Sequence, residues 1–483
     1  SHDRIRDVAY ATITPVRRRW LHRCVAQGLE TLYASDLDPV SGQIAVHYEQ
    51  ANLPEQAISY FQRAAEVAQR TYAHADAIHY LTKGLTLLAQ ISVTPEQMRQ
   101  ELSFQLALAL SFNLMIGPSV QEMRVAYERA EALSIQLNNH YQHMVALCGQ
   151  FVNAITGVRL QEGRKLAEKA CTLAQQLENP RWQAETCGML GVALMQFGEW
   201  AASRSCLEEA LAGYNVQSDN ASTLFHDQPI HLTHRRHLAR VLWHLGYPDQ
   251  ALEQMNETLA LAQATSHPYS LTNLHIYAAW IYQYRREVWL MQAPAQTAVN
   301  LCQQFGYSSS LFQSMILVGW ALVQQGQASE GIACLKTSFA AWRSYNSHDH
   351  WPAYIALSAE AYGQVGQPVE GLLIVEEALA IVEVTEQGFV EPELYRLKGE
   401  LLWMRGAADD DVEFCLRKAI AIALHQQAKS LELRASLSLA RLWQQQDKRT
   451  QAYDLLAEIY GWFTEGFDTR DLQEAKALLA ELS

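Results

Sequence analysis

Between Arg236 and Ile459 one pattern returns about every forty residues, and it leaves few folds open. Small residues stand at Ala239, Ala279, Gly319, Ala359, Gly399 and Ala440, at steps of 40, 40, 40, 40 and 41. Three positions after each comes a bulky apolar residue: Leu242, Tyr282, Leu322, Tyr362, Leu402 and Trp443. Twelve positions after most of them a second small residue follows, as at Ala251, Gly331, Gly371 and Ala452. Residues at i and i+3 share a helix face, and a small residue on each of two successive helices lets their backbones approach closely. Self-similarity at this period is the mark of a helical solenoid.

The same beat runs earlier in the chain. Ala130, Ala170 and Ala210 recur at steps of 40 in the phrases Glu128-Arg129-Ala130, Glu168-Lys169-Ala170 and Glu208-Glu209-Ala210. Near Ser41 the pair Ala45 and Tyr48 is answered by Ala57, Phe61 and Ala64. Prolines such as Pro54, Pro180, Pro248 and Pro368 suit the first turns of helices, and Gly246, Gly326, Gly366 and Gly406 suit their C-terminal caps. No alternating β pattern of useful length occurs, so the expectation is an all-α, right-handed superhelical solenoid of about ten helix pairs. The beat slips once: Gly191 to Ala239 is a step of 48, which places an insertion near 217–228. A loop inserted into a solenoid is a place to look for binding, and His226 and Asp227 are its candidates.

At 483 residues the chain is too long for one globular core, whereas a solenoid grows by adding units. The net charge of −14 argues against broad nucleic-acid or membrane-surface binding, which need clustered positive charge. The eight cysteines form no CxxC pair, which speaks for small buried hydrophobes in a reducing cytoplasm rather than for disulfides or a metal site. No apolar run reaches the roughly 18 residues of a membrane helix. The phosphate-loop signature GxxxxGK[ST] is missing, as are HExxH, GxSxG and GxGxxG, so neither catalysis nor a cofactor is expected of this segment. His231, His234 and His237 are spaced to drift around a helix rather than to converge on one ion, and are expected to be partly exposed. His348-Asp349-His350 reads as a turn before Trp351-Pro352.

The small-large-small spacing resembles the tetratricopeptide repeat, stretched from about 34 residues to about 40. Several phrases are more specific. They are Gly246-Tyr247-Pro248-Asp249-Gln250-Ala251-Leu252, Gln283-Tyr284-Arg285-Arg286-Glu287, Glu393-Leu394-Tyr395-Arg396-Leu397-Lys398-Gly399-Glu400-Leu401-Leu402, Ala428-Lys429-Ser430-Leu431-Glu432-Leu433-Arg434 and Tyr460-Gly461-Trp462-Phe463-Thr464-Glu465-Gly466-Phe467-Asp468-Thr469. Together they resemble the C-terminal tetratricopeptide arm of bacterial STAND-type signalling ATPases, which are often fused to a cyclase or a transcriptional activator domain. The opening residues Asp3 to Leu29, with Arg17-Arg18-Arg19-Trp20, look like the tail of the winged-helix region in such proteins. The resemblance implies that residues 1–35 are a linker to an ATPase core and that 36–483 are the solenoid. It also implies that the partners are that ATPase and its effector.

In a tetratricopeptide-like unit the first helix of each pair lines the concave surface. Its inner stripe lies one and four or five positions after the small residue, and three before it. That stripe brings forward Arg236, Arg240, Trp243, Trp280, Tyr284, Trp320, Gln324 and Glu360 as an aromatic and charged wall for a ring-bearing, acidic or sugar-like ligand, or a peptide. The competing reading buries these aromatics between neighbouring helices. Three functions remain: a ligand- or partner-sensing arm, a constitutive protein-binding scaffold, and, last, a hydrolase using Glu360 and Glu400, two carboxylates expected to be solvated.

Overall fold

A computed structural model describes residues 10, 12–214, 229–265, 268–343 and 350–483. Most of the opening segment before Pro15, the insertion at 217–228 with His226 and Asp227, and His348-Asp349 therefore lie outside the described residues. Among the described residues there are 23 α-helices, two short 3-10 turns and no strand. The chain divides into two compact units, Ser1–Asn153 and Ala154–Ser483. The boundary expected at 35/36 falls inside the first of them.

The first unit holds α1 (Pro15–Leu32), α2 (Ser41–Gln50), α3 (Pro54–Arg70), α4 (His74–Leu88), α5 (Pro95–Met115), α6 (Gln121–Gln136) and most of α7 (His140–Thr156). Ala26 of α1 is fully buried, and Leu29 joins it against Ile44, Ala45, Ile58 and Phe61, so α1 belongs to the core of the repeats that follow it. The rest of α1 contributes little: Val16, Trp20 and Leu32 are exposed.

The second unit begins with α8 (Leu160–Gln176), α9 (Pro180–Gln196), α10 (Trp200–Ala212), α11 (Ile230–His244), α12 (Pro248–Thr265) and α13 (Pro268–Tyr284). It continues with α14 (Val288–Phe305), α15 (Ser308–Gln324), α16 (Ala328–Arg343), α17 (Trp351–Gln364) and α18 (Pro368–Thr385). The last helices are α19 (Glu391–Met404), α20 (Asp409–His425), α21 (Lys429–Gln445), α22 (Arg449–Trp462) and α23 (Arg470–Leu482). The forty-residue beat has a steric cause. Where α15 crosses α16, a Cβ on Gly319 would sit 3.1 Å from the Gly331 carbonyl oxygen, and a Cβ on Gly331 would sit 2.7 Å from that of Gly319. Ala239, Ala251, Ala279, Ala359, Ala440 and Ala452 are all fully buried at the equivalent positions. A larger side chain at either partner would separate the helices and lose the contacts that bury Leu335 and its neighbours.

A second periodic feature lies in the turn after each first helix, where one residue is left-handed: Gly246, Arg286, Gly326, Gly366, Gly406 and Asp447. Glycine serves this position at no steric cost, whereas Arg286 and Asp447 adopt it with φ of 58°. The left-handed region costs an ordinary residue about 1 kcal/mol. Something else must therefore keep an arginine at 286.

Two of the first helices, α17 and α21, are buried on nearly every side over much of their length. Every residue of α21 from Ser430 to Ala440 is buried, including Glu432, Arg434, Ser436 and Ser438, and so is α17 from Trp351 to Ala359. An amphipathic helix whose polar face is also covered has neighbours on that face as well. Those neighbours come from the far end of the same unit. Ser430 Oγ donates to the Trp243 carbonyl oxygen at 2.6 Å, across 187 residues of sequence.

Candidate functional site

The first helices α11, α13, α15, α17, α19 and α21 present one continuous inner wall, and the residues proposed from sequence lie on it. The wall is closed rather than open. Trp320 is 1% exposed, Trp243 2%, Arg240 5% and Tyr284 7%, while Trp280, Arg236, Gln324 and Glu360 are half-buried. Of the two readings of these aromatics, the buried one holds at Trp243, Tyr284 and Trp320, because side chains from α17, α19 and α21 fill the space in front of them. Trp243 stacks on Tyr284 with ring centroids 4.3 Å apart, and Trp280 Nε1 donates to the Tyr354 hydroxyl at 3.1 Å. Trp320 Nε1 donates to Glu360 at 2.9 Å.

Around these rings runs a network in which each charge meets an opposite one. Arg434 donates to Asp471 at 2.7 Å and to the Tyr284 carbonyl at 2.6 Å, with its guanidinium 4.9 Å from the centre of the Trp243 ring. Arg286 pairs with Glu360 at 3.2 Å and Asp471 at 3.5 Å. These contacts are what the left-handed arginine supplies in return for its strain. Arg396 holds Glu393 and Glu400, each at 2.6 Å, and Ser438 donates to Glu400 at 2.6 Å. Burial pushes the Asp471 and Glu400 carboxyls up, but the adjoining arginines outweigh it and hold both below the ordinary carboxylate range. Neither Glu360 nor Glu400 is the solvated carboxylate expected from sequence, since each is fixed by an arginine and a further donor.

The network continues into a clasp between the turn before α12 and the turn before α23. Glu465 accepts from the backbone N–H groups of Asp249 and Gln250 at 2.9 and 3.1 Å, capping α12 from 216 and 215 residues away. Asp249 in turn accepts from the Gly466 N–H at 2.8 Å. Arg285, with only 2% of its side chain exposed, joins Asp249, Glu287 and Asp468 at 2.9, 2.8 and 3.1 Å. A Cβ on Gly466 would overlap Pro248, so the approach depends on that glycine. The five phrases that carried the resemblance are the segments that meet here and in the network beside it.

Further along the wall two arginines of α11 meet rings rather than carboxylates among the described residues. Arg240 rests on Phe389, with its guanidinium 4.4 Å from the ring centre, and its Nη1 lies 3.2 Å from His350 Nδ1. Arg236, one turn earlier, lies over Tyr277 at 4.7 Å. The Nε of each arginine is buried without a hydrogen-bond partner, and among the described residues neither arginine has a carboxylate partner. The Tyr277 hydroxyl lies 3.4 Å from both His237 Nδ1 and His350 Nε2. A desolvated cation–π contact contributes on the order of 2 kcal/mol, against a burial cost of several kcal/mol for an uncompensated ion. Burial and the arginines hold His237, His244 and His350 well below the ordinary imidazole value, and burial holds His234 down to about 3.

These histidines correct a second expectation. His231, His234 and His237 are 8%, 1% and 5% exposed, not partly exposed. His234 fits against Gly188, where a Cβ would overlap its ring, and His244 stacks on Trp200 at 3.8 Å. Among the described residues no group of three or more His, Cys, Asp or Glu could hold a metal ion. Phe389, the plug beneath Arg240, escaped the sequence reading because it lies in the 3-10 turn Gly388–Val390, off the helical beat. Arg286, Arg434 and Asp471 escaped as wall residues because their partners come from the opposite end of the unit.

The cavity left between Trp243, Trp280, Tyr284, Glu360, Phe389 and Arg434 has a volume of about 40 Å³. That is room for a few waters, far below the several hundred Å³ of a small-molecule pocket. A wider, open groove of about 320 Å³ lies beside Trp403, Arg441 and Glu481, but its charges are spent on one another: Arg441 pairs with Glu474 at 2.6 Å. No helix among the described residues is long and apolar enough to cross a membrane.

No family model matches the chain. An uncharacterized protein of Rhizobium meliloti (strain 1021) is 23% identical over 448 residues, covering 91% of this chain but 43% of that protein, so the chain spans less than half of its relative's length. Among solved structures, a Rap protein complexed with Competence and Sporulation Factor aligns with a TM-score of 0.56 at 10% identity, over 77% of this chain and 99% of that one. The apo form of RapI aligns with a TM-score of 0.47 at 12% identity, over 59% and 97%. The fold is an all-α, tetratricopeptide-like repeat solenoid.

Proposed function

We propose that this chain is the regulatory binding arm of a larger cytoplasmic signalling ATPase of the STAND type, and that residues 154–483 sense a small ligand or protein partner at their inner wall. The observation that carries this is the clasp. Segments 187 to 217 residues apart are held by a limited set of polar contacts. In this reading the clasp has a closed and a loosened arrangement, and a ligand that fits one of them better shifts the balance between them. Arg236, Arg240, Trp280, Gln324 and Glu360 are the wall residues a ligand meets first or deepest. Trp243, Tyr284 and Trp320 become accessible only as the clasp loosens. Two findings support this reading: a relative more than twice as long as the segment it shares with this chain, and a similar fold in a Rap protein that was solved with a bound factor. The ATPase and its effector are the partners the reading requires.

The test is amide hydrogen exchange on the full chain with and without members of a metabolite panel. A sensing arm shows ligand-dependent exchange at Asp249, Gln250 and Gly466, whose N–H groups are bonded across the clasp. Exchange there that stays slow and unchanged with every ligand, while one protein partner binds stably, points instead to a constitutive scaffold. The small volume of the cavity is the observation that favours that second reading.

A further inference from the structure

We propose that Arg236 and Arg240 form an oxyanion site in the inner wall, built to take a phosphate group, either free or carried on a small molecule. The proposal rests on the reading of this wall as a ligand-binding surface and names the chemistry it accepts. Four other buried or half-buried arginines of the same unit, Arg285, Arg286, Arg396 and Arg434, each meet at least one carboxylate of the chain. Arg236 and Arg240 meet aromatic faces and neutral ring nitrogens instead. Each keeps a buried Nε–H with nothing to donate to, and Arg240 is 95% buried.

The geometry also has a direction. The two arginines are i and i+4 on α11, so their side chains leave the helix on one face. Arg236 is half-buried and Arg240 is deep, so the pair runs from a partly exposed guanidinium to a buried one. Arg240 Nη1 lies 3.2 Å from His350 Nδ1, and the charge of both guanidiniums helps hold His237 and His350 below the ordinary imidazole value. The Tyr277 hydroxyl lies between those imidazoles. Two fixed positive charges match a dianion, and donors arriving from successive helix turns suit a tetrahedral group with several oxygens better than a planar carboxylate.

The test is thermal unfolding of the full chain at constant ionic strength, titrated separately with inorganic phosphate, a sugar phosphate, a nucleoside monophosphate and glutamate. The expected result is a saturable rise of about 3 °C or more with at least one phosphate compound and none with glutamate. Comparing the arms separates free phosphate from a phosphate ester. Arg240→Gln and Arg236→Gln abolish the rise, while Arg343→Gln, which alters an exposed pair with Glu377, leaves it intact. Arg240→Gln removes an uncompensated buried charge and so stays folded; its circular dichroism checks this. A rise that survives in both arginine variants overturns the proposal. So does a response to glutamate or an acidic peptide alone, or the lack of a saturable response to every phosphate compound. Saturable phosphate binding that leaves exchange at Gly466 unchanged upholds the site and defeats the sensing reading. Ligand-dependent exchange with a compound lacking phosphate, and no phosphate response, does the reverse.

Discussion

Two parts of one wall bury arginine on opposite terms. Around Arg434 and Arg286 each guanidinium has a carboxylate within 4 Å, and each of those carboxylates is shared or further bonded. Around Arg240 and Arg236, no more than two helical turns along the wall from Trp243, the neighbours among the described residues are rings and neutral imidazoles. The first arrangement is finished by the fold itself. The second is finished only by something that brings negative charge. Burial alone does not distinguish structural from available groups; the presence of a counter-charge does.

The largest expected effect separates the two parts directly. Arg434→Met leaves Asp471 buried with a weakened partner and should cost about 3–5 kcal/mol, read as a fall in the urea midpoint. Arg240→Met in anion-free buffer should leave stability within about 1 kcal/mol of the parent, or raise it, because an unpaired charge has gone. Equal losses from the two variants would break the comparison.

Acid should unfold the two parts in different windows. An unfolded chain takes up protons on histidine below about pH 6.5, while His234, His237, His244 and His350 stay neutral in the native state. The native state binds fewer protons there, so stability falls as pH drops from 6.5, by about 2 kcal/mol per such histidine at pH 5. Asp471 and Glu400 have lowered values, so their contribution is intact above the ordinary carboxylate range and is lost only as pH falls through their folded values, below about 4. Equilibrium unfolding between pH 8 and 3 should show the earlier loss first, and His234→Gln should shrink that early window alone.

Smaller effects sharpen the picture of the clasp. Glu465→Ala removes the cap from the first turn of α12 and should cost about 1 kcal/mol, with faster exchange at Asp249 and Gln250. Asp447→Gly should stabilise by up to about 1 kcal/mol, because Asp447 holds a left-handed turn that four equivalent positions give to glycine. Arg286→Gly relaxes the same strain but should destabilise, because Arg286 also pairs with Glu360 and Asp471.

The helices and their pairing were legible because packing at Gly319 against Gly331 is local and repeats at a fixed spacing. The membership of the wall was legible for the same reason: helical phase puts Arg240, Trp280, Trp320 and Glu360 on one stripe. Its exposure was not. Whether Trp320 faces solvent depends on where α17 and the segments beyond it arrive, and that is set by the accumulated curvature of several units rather than by any window of sequence. His234 and His237 failed in the same way, since polar residues at helical spacing read as surface unless the element covering them is known. The phrases from Gly246 to Leu252 and from Tyr460 to Thr469 stood out in the sequence, but nothing in either one says that the other lies against it.

An open stack of repeats can gain or lose a unit and merely become longer or shorter. The bond from Glu465 to the backbone of Asp249 removes that freedom from the stretch between them. Taking out one forty-residue unit there would carry Glu465 out of reach and uncap α12, and adding one would do the same from the other side. The number of units in this stretch is therefore fixed by ring closure, as the number of blades is in a propeller, and change by whole repeats is confined to the chain outside it.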